Sequence, residues 1–103
     1  MHQAQFSIGQ LVVHKKFKYR GVIYDIDAEY IGTEEWYEKV AKSKPPKDEP
    51  WYHVLVDGQL MTTYVAEKHL DLDASAEPIT HPLTEEYFDS FENGLYQNYR
   101  INN

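Results

Sequence analysis

The chain has 103 residues, 42% of them hydrophobic and 15% aromatic, with a formal net charge of −7 and no cysteine. That is enough for one domain with a single core and too little for two, and the missing thiols exclude disulfides, cysteine nucleophiles and cysteine-ligated zinc. The acidic balance repels polyanions, and no apolar run approaches membrane-spanning length, so a soluble cytoplasmic protein is expected.

Charge is unevenly placed along the chain. Residues 1–24 hold Lys15, Lys16, Lys18 and Arg20 and no acid, whereas residues 71–103 carry seven acids against Arg100. Leu11-Val12-Val13-His14 reads as a short strand, and Gly9 ahead of it permits a turn or a close backbone approach. Lys15 to Tyr19 then form a polar loop or hairpin arm. From Arg20 the run RGVIYDID alternates Val22, Tyr24 and Ile26 against Ile23, Asp25 and Asp27, the period of a half-buried strand.

Residues 33–44 predict a short helix. Thr33 is its N-cap, Glu34 and Glu35 lie in its first turn, and lysines gather toward its end. Trp36 and Val40 share one face, with Tyr37 beside them. Pro45, Pro46 and Pro50 stop the helix and hold the next segment extended.

Trp51 to Leu70 is the strongest hairpin signal, because Asp57-Gly58 tolerates the positive φ of a two-residue turn. A two-residue loop pairs Val54 with Met61 and Trp51 with Tyr64. One face then carries Tyr52, Val54, Val56, Met61 and Val65, and the other Trp51, His53, Leu55, Leu60 and Tyr64. Neither face is polar enough to meet water, so the aromatic one needs cover from this chain, another subunit or a partner.

The acidic, proline-marked run from Asp71 to Pro82 reads as a surface linker. A C-terminal helix is expected after it, capped by Thr84, stapled by Leu83 and Phe88 and ended at Gly94, with Tyr87, Phe88, Phe91, Leu95, Tyr96 and Tyr99 as its stripe. So many aromatics predict that this segment docks.

Few residues converge on chemistry. Asp25 and Asp27 share a strand face at the spacing of an acid–base pair, and with His53 they form the enzyme hypothesis, yet no nucleophile motif accompanies them. The five histidines are scattered without a metal-site spacing, so neither metal nor cofactor is expected. Lys15, Lys16, Lys18 and Arg20 interleave with Phe17 and Tyr19, the combination of a nucleic-acid patch, although a solvated hairpin tip has the same composition. Trp36, Trp51, His53, Tyr64, Phe88 and Phe91 are the candidate interface.

The residues alone describe a small, mainly β, barrel-like binding module with a helical insertion and a C-terminal helix. Phe6-Ser-Ile-Gly-Gln through Arg20-Gly-Val-Ile-Tyr-Asp-Ile-Asp27, then Pro50-Trp-Tyr-His-Val54, and Thr63-Tyr-Val-Ala-Glu67 with Leu70, closely resemble the HspQ/YccV-like family. This is the heat-shock protein family also described as hemimethylated-DNA-binding. The resemblance implies an SH3-like β-barrel over residues 1–75 with a helical tail over 76–103. It also implies a cytoplasmic, non-enzymatic stress protein that self-associates, for instance as a trimer. The implied role is to promote degradation of selected or denatured proteins, including the replication initiator DnaA, by the Lon protease. Its alternative is hemimethylated-DNA binding in replication control.

Overall fold

The structure is a computed structural model that describes residues 3–98. It is mainly β, with seven strands in two antiparallel sheets and little helix. Strands β1 (Leu11–His14), β2 (Arg20–Asp27), β3 (Trp51–Val56), β4 (Thr62–Ala66) and β5 (Leu70–Leu72) make one sheet, ordered β4-β3-β2-β1-β5. Strands β6 (Ser90–Glu92) and β7 (Leu95–Gln97) make the second. Helix α1 (Glu34–Val40) lies between β2 and β3, and a single turn, α2 (Thr84–Tyr87), precedes β6. β4 and β5 are the two edges of the large sheet, joined by a 3-10 turn at Glu67–His69.

The first two strands have their predicted bounds, and the basic segment between them is a tight hairpin tip. His14 N–H donates to Tyr19 O, and Lys18 takes a left-handed φ of 63° to make the turn. Strict alternation fails midway along β2. A bulge between Ile23 and Asp25 leaves Tyr24 without a partner across from β3, so Ile23 and Ile26 both join the core with Tyr52 and Val54. Asp25 and Asp27 are thereby turned to the opposite face, beside His53.

The β3–β4 hairpin differs from its predicted register. Trp51 pairs with Ala66, His53 with Tyr64 and Val54 with Thr63, two residues along from a two-residue loop. Asp57 and Gly58 are engaged elsewhere: the Gly58 N–H donates to Thr80 O, while Asp57 Oδ1 accepts from the Thr80 N–H. The chain therefore takes Asp57 to Met61 to turn. Because side chains repeat every two residues, a two-residue displacement keeps each on its predicted face. Leu60 and Met61 leave the faces and lie exposed in the loop.

Both faces are covered by the chain itself. Phe6, Val12, Ile23, Tyr52, Val54, Val65 and Leu70 form one core inside the curled sheet. On the other face Leu11, Val22 and Leu55 meet Ile79, Phe88 and Tyr96 from the C-terminal segment. Trp51 and Ala66 meet Tyr37 of α1.

Three expectations are corrected here. The helix expected over 33–44 ends at Val40: Thr33 Oγ1 caps it as predicted, but Ala41 leaves helical geometry, and it is Tyr37, not Val40, that enters the core. The expected linker contains β5, which pairs with β1, and places Ile79 and His81 in buried positions. The expected C-terminal helix is one turn followed by a hairpin. Asn93 and Gly94 take φ of 54° and 76°, the two left-handed residues of a type I′ turn, and Phe91 faces Tyr96 across it. Thr84 is not its cap; its hydroxyl donates to His81 O. Tyr99 lies outside the described residues. Gly9 ties this segment to the sheet. The Tyr96 N–H donates to Gly9 O, and a Cβ on Gly9 would fall 2.2 Å from Tyr96 O.

Candidate functional site

A groove of about 610 Å³ opens between α1, the hairpin tip after β1 and the outer edge of β4. Trp36 and Val40 stand on the α1 side, and Phe17 and Tyr19 on the other. The Ser43 hydroxyl and His69 Nε2, 2.8 Å apart, link the loop after α1 to the turn after β4 and close the end near Ala66. No Asp or Glu lines the groove among the described residues, whereas Lys16, Lys42, His14 and His69 do. In a chain with 17 acidic residues, this hollow is set apart by its charge.

The floor is an aromatic stack built on Trp51. Its indole N–H donates to Pro46 O, and Tyr64 lies over it at 5.1 Å between ring centroids, with Trp36 and Tyr30 completing the cluster. Asp27 holds the Tyr64 end. Its Oδ2 accepts from the Tyr64 hydroxyl at 2.7 Å and from His53 Nε2 at 2.9 Å. Burial first, and then the charge of the bonded Asp27 carboxylate, push the Tyr64 hydroxyl well above the ordinary phenol range, so it stays a hydrogen-bond donor.

His14 organises the basic tip from inside. Its Nδ1 accepts from the backbone N–H groups of Lys16 and Phe17, and its ring stacks on His69 at 5.7 Å. Burial lowers the pKa of both imidazoles, with His69 and Lys16 adding to the effect at His14 and the neighbouring lysines 68, 15 and 16 at His69. An Nδ1 that accepts two N–H bonds requires the neutral His14 imidazole.

A family model described as hemimethylated DNA-binding protein YccV-like matches residues 4–95. The chain belongs to the YccV-like family. That description is of a binding protein, and the match runs past β5 through α2 and β6, the part of the chain from which no family motif is legible.

The sequence-predicted residues of this YccV-like chain separate into distinct roles. Of the cationic patch, Arg20 faces inward to Asp73 at 2.7 Å and Asp57 at 3.1 Å, and Lys15 pairs with Asp71 at 3.8 Å. Lys16 lies over the Phe17 ring, and Lys18 makes the turn. The four do not form one surface: Arg20 is a structural ion, because β2 begins against the segment that carries Asp73 and Glu77. Of the interface set, Trp51 and Phe88 are buried and offer a partner almost no surface. Phe91 packs on Tyr96 at 4.6 Å, in the cluster around Leu55 rather than in the groove. Trp36, His53 and Tyr64 do line the groove.

Asp25, Asp27 and His53 converge rather than disperse, offering one ligating atom each within 4.8 Å, the one such group of three among the described residues. Spacing places Asp25 and Asp27 on one face, but the approach of His53 comes from the facing strand, with the β2 bulge supplying the alignment. Among the described residues no hydroxyl nucleophile of Ser or Thr is bonded to His53, whose Nε2 is engaged by Asp27; chemically, Asp27 and His53 orient Tyr64. Sequence reasoning missed Tyr30, Lys42, Ser43 and His69 as site residues. Each lies outside the strands that align the others, and the one available signal was the open edge expected of a final hairpin strand.

Proposed function

We propose that this YccV-like protein is a non-enzymatic, cytoplasmic accessory factor that promotes degradation of selected or denatured proteins, including DnaA, by the Lon protease. The observation that carries this reading is the groove: an acid-free, aromatic-floored hollow beside an open strand edge suits a segment of another protein better than a small polar substrate. It is tested by mixing the purified protein with Lon and DnaA. Faster degradation is expected, and an unchanged rate at saturating protein overturns the reading.

We further read the curled sheet, whose edges β4 and β5 are joined by one 3-10 turn, as the SH3-like barrel of the family, with residues 1–75 as its core unit. Self-association, as a trimer for instance, would use the exposed apolar side chains Ile31 and Leu60, because the aromatic face of β3 is already covered. A sedimentation profile of monomer alone contradicts that.

The second reading, hemimethylated-DNA binding in replication control, is favoured by the family description. It would rest on Lys16 and Lys18, with Lys15 and Arg20 drawn into ion pairs. Its mark is affinity that falls steeply with salt and disappears when Lys16 and Lys18 become alanine; absent or salt-independent binding removes it.

A further inference from the structure

We propose that the groove beside β4 receives an extended acidic segment of another protein, which adds to the edge as a sixth strand of the large sheet. This rests on the reading of the chain as a factor that holds protein substrates, and it names the class of segment held.

The shape of the groove places it at an edge rather than a face. All five successive residues of β4, Thr62 to Ala66, line it. A space lying on a sheet face would meet only alternate residues, because side chains alternate along a strand. Lining by both parities requires the space to run alongside the strand, over ~17 Å for five residues.

The hydrogen-bond ladder then decides what that edge offers. The Val56 N–H donates to Met61 O, and the Glu67 N–H to Pro50 O, at the two ends of the β3–β4 pairing. Bonded and non-bonded pairs alternate in an antiparallel ladder, so Thr63 and Val65 also turn their backbone groups toward β3. The N–H and C=O groups of Thr62 and Tyr64, and the N–H of Ala66, therefore point into the groove. Among the described residues, none of these groups takes a backbone partner in a turn or loop, whereas the Ala66 C=O is the N-cap acceptor that opens the 3-10 turn. Such a row is a template for another extended backbone. Phosphates, which only accept, cannot satisfy its carbonyls.

Charge selects the segment. The groove has two walls, and an added strand turns alternate side chains to each. On one, Lys42 and Trp36 follow Tyr64; on the other, Lys16, Phe17 and Tyr19 follow Thr63, whose hydroxyl lies 2.8 Å from the Tyr19 hydroxyl. Each wall thus offers a cation and an apolar surface, with no carboxylate lining either among the described residues. A short acidic and apolar segment is attracted locally, within the ~8 Å screening length at physiological salt. A long polyanion meets the net charge of −7 beyond it.

The test uses a fluorescein-labelled decapeptide alternating Glu and Val, titrated with the full-length protein by anisotropy. Saturable binding is expected, weakened at least tenfold when Lys replaces Glu in the peptide, and at least tenfold when alternate peptide amides are N-methylated. Thr62→Pro removes an outward N–H while sparing the β3 pairing, as prolines on edge strands do, and should weaken binding at least tenfold with an unchanged circular dichroism melt. Lys16→Glu together with Lys42→Glu should do the same, at two exposed positions where the change leaves the core untouched.

Binding of the Lys peptide as tight as that of the Glu peptide overturns the charge argument. Undiminished binding of the N-methylated peptide overturns strand addition, and tighter binding of a ten-nucleotide single strand reassigns the groove to nucleic acid. A sedimentation shift abolished by Thr62→Pro in the protein alone reassigns it to a second copy. Stimulation of Lon is read separately: peptide binding without stimulation keeps the groove and removes the protease role, whereas stimulation untouched by Thr62→Pro keeps the role and removes the groove.

Discussion

Arg20→Ala separates a structural arginine from a nucleic-acid-binding one. The guanidinium donates through Nε to Asp73 at 2.7 Å, through Nη1 to Asp57 at 3.1 Å and through Nη2 to the Glu77 carbonyl. Its side chain is 25% exposed, with Asp73 at 12% and Asp57 at 30%. Breaking a buried pair costs about 3–5 kcal/mol and an exposed one about 0–1. Both pairs are partly exposed, Asp73 less than Asp57, so a total between the two limits, about 2–3 kcal/mol, is expected. At roughly 4–8 °C per kcal/mol for a domain of this size, the melting temperature falls by ~10–20 °C. Burial opposes ionisation of Asp73, yet its bonds from Arg20 and Ser75 hold the carboxyl below its ordinary value of 3.8. Stability from this pair is therefore complete above 3.8 and is lost as pH falls through the lower folded value. The difference between parent and variant in urea melts should be full at pH 7 and shrink on that acid limb. An Arg20→Ala protein as stable as the parent, which instead loses salt-dependent DNA binding, refutes the structural assignment.

Three further outcomes follow from individual contacts. Gly21→Ala would set a Cβ 2.5 Å from Leu55 O and 2.4 Å from Val54 Cγ1, so the β2–β3 pairing must shift, and about 3 kcal/mol of destabilisation by chemical denaturation is expected. Thr33→Ala removes the acceptor for the Trp36 N–H and should cost about 1 kcal/mol, read as a lower melting temperature together with altered Trp36 fluorescence. Because folding depresses the pKa of His14 and His69, their stabilising contribution is full above the unfolded value of 6.5 and declines as pH drops toward the lower folded values. His14→Asn, which keeps an acceptor but cannot titrate, should flatten the thermal-stability profile between pH 7 and 5; an unchanged slope places the acid sensitivity elsewhere.

Local chemistry was legible where it was redundant. The bounds of β1 and β2, the Thr33 cap and the division of β3 side chains between two faces all follow from short-range pattern, and a displaced hairpin left that division intact because it moved by a whole period. The same kind of reading failed around Thr84, where neighbours in space intervened. Leu83 and Phe88 fit a helical staple, yet the Thr84 hydroxyl donates to His81 O instead of capping a longer helix. Asn93-Gly94 then closes a hairpin, and that turn lets Phe88 and Tyr96 pack against Leu55.

By itself the sequence determined the strand-forming runs of β1 to β4, the helix start and the family, because each is carried by neighbours in the chain whose geometry short-range sterics and hydrogen bonding dictate. Tertiary structure decided what those pieces surround. The bulge in β2 aligned Asp25 and Asp27 with His53, Asp73 claimed Arg20 from the basic patch, and α1 with the β1–β2 tip raised walls along an edge strand. Each of these joins residues far apart in the chain, and which partners meet depends on how the whole sheet curls, a property no local pattern encodes.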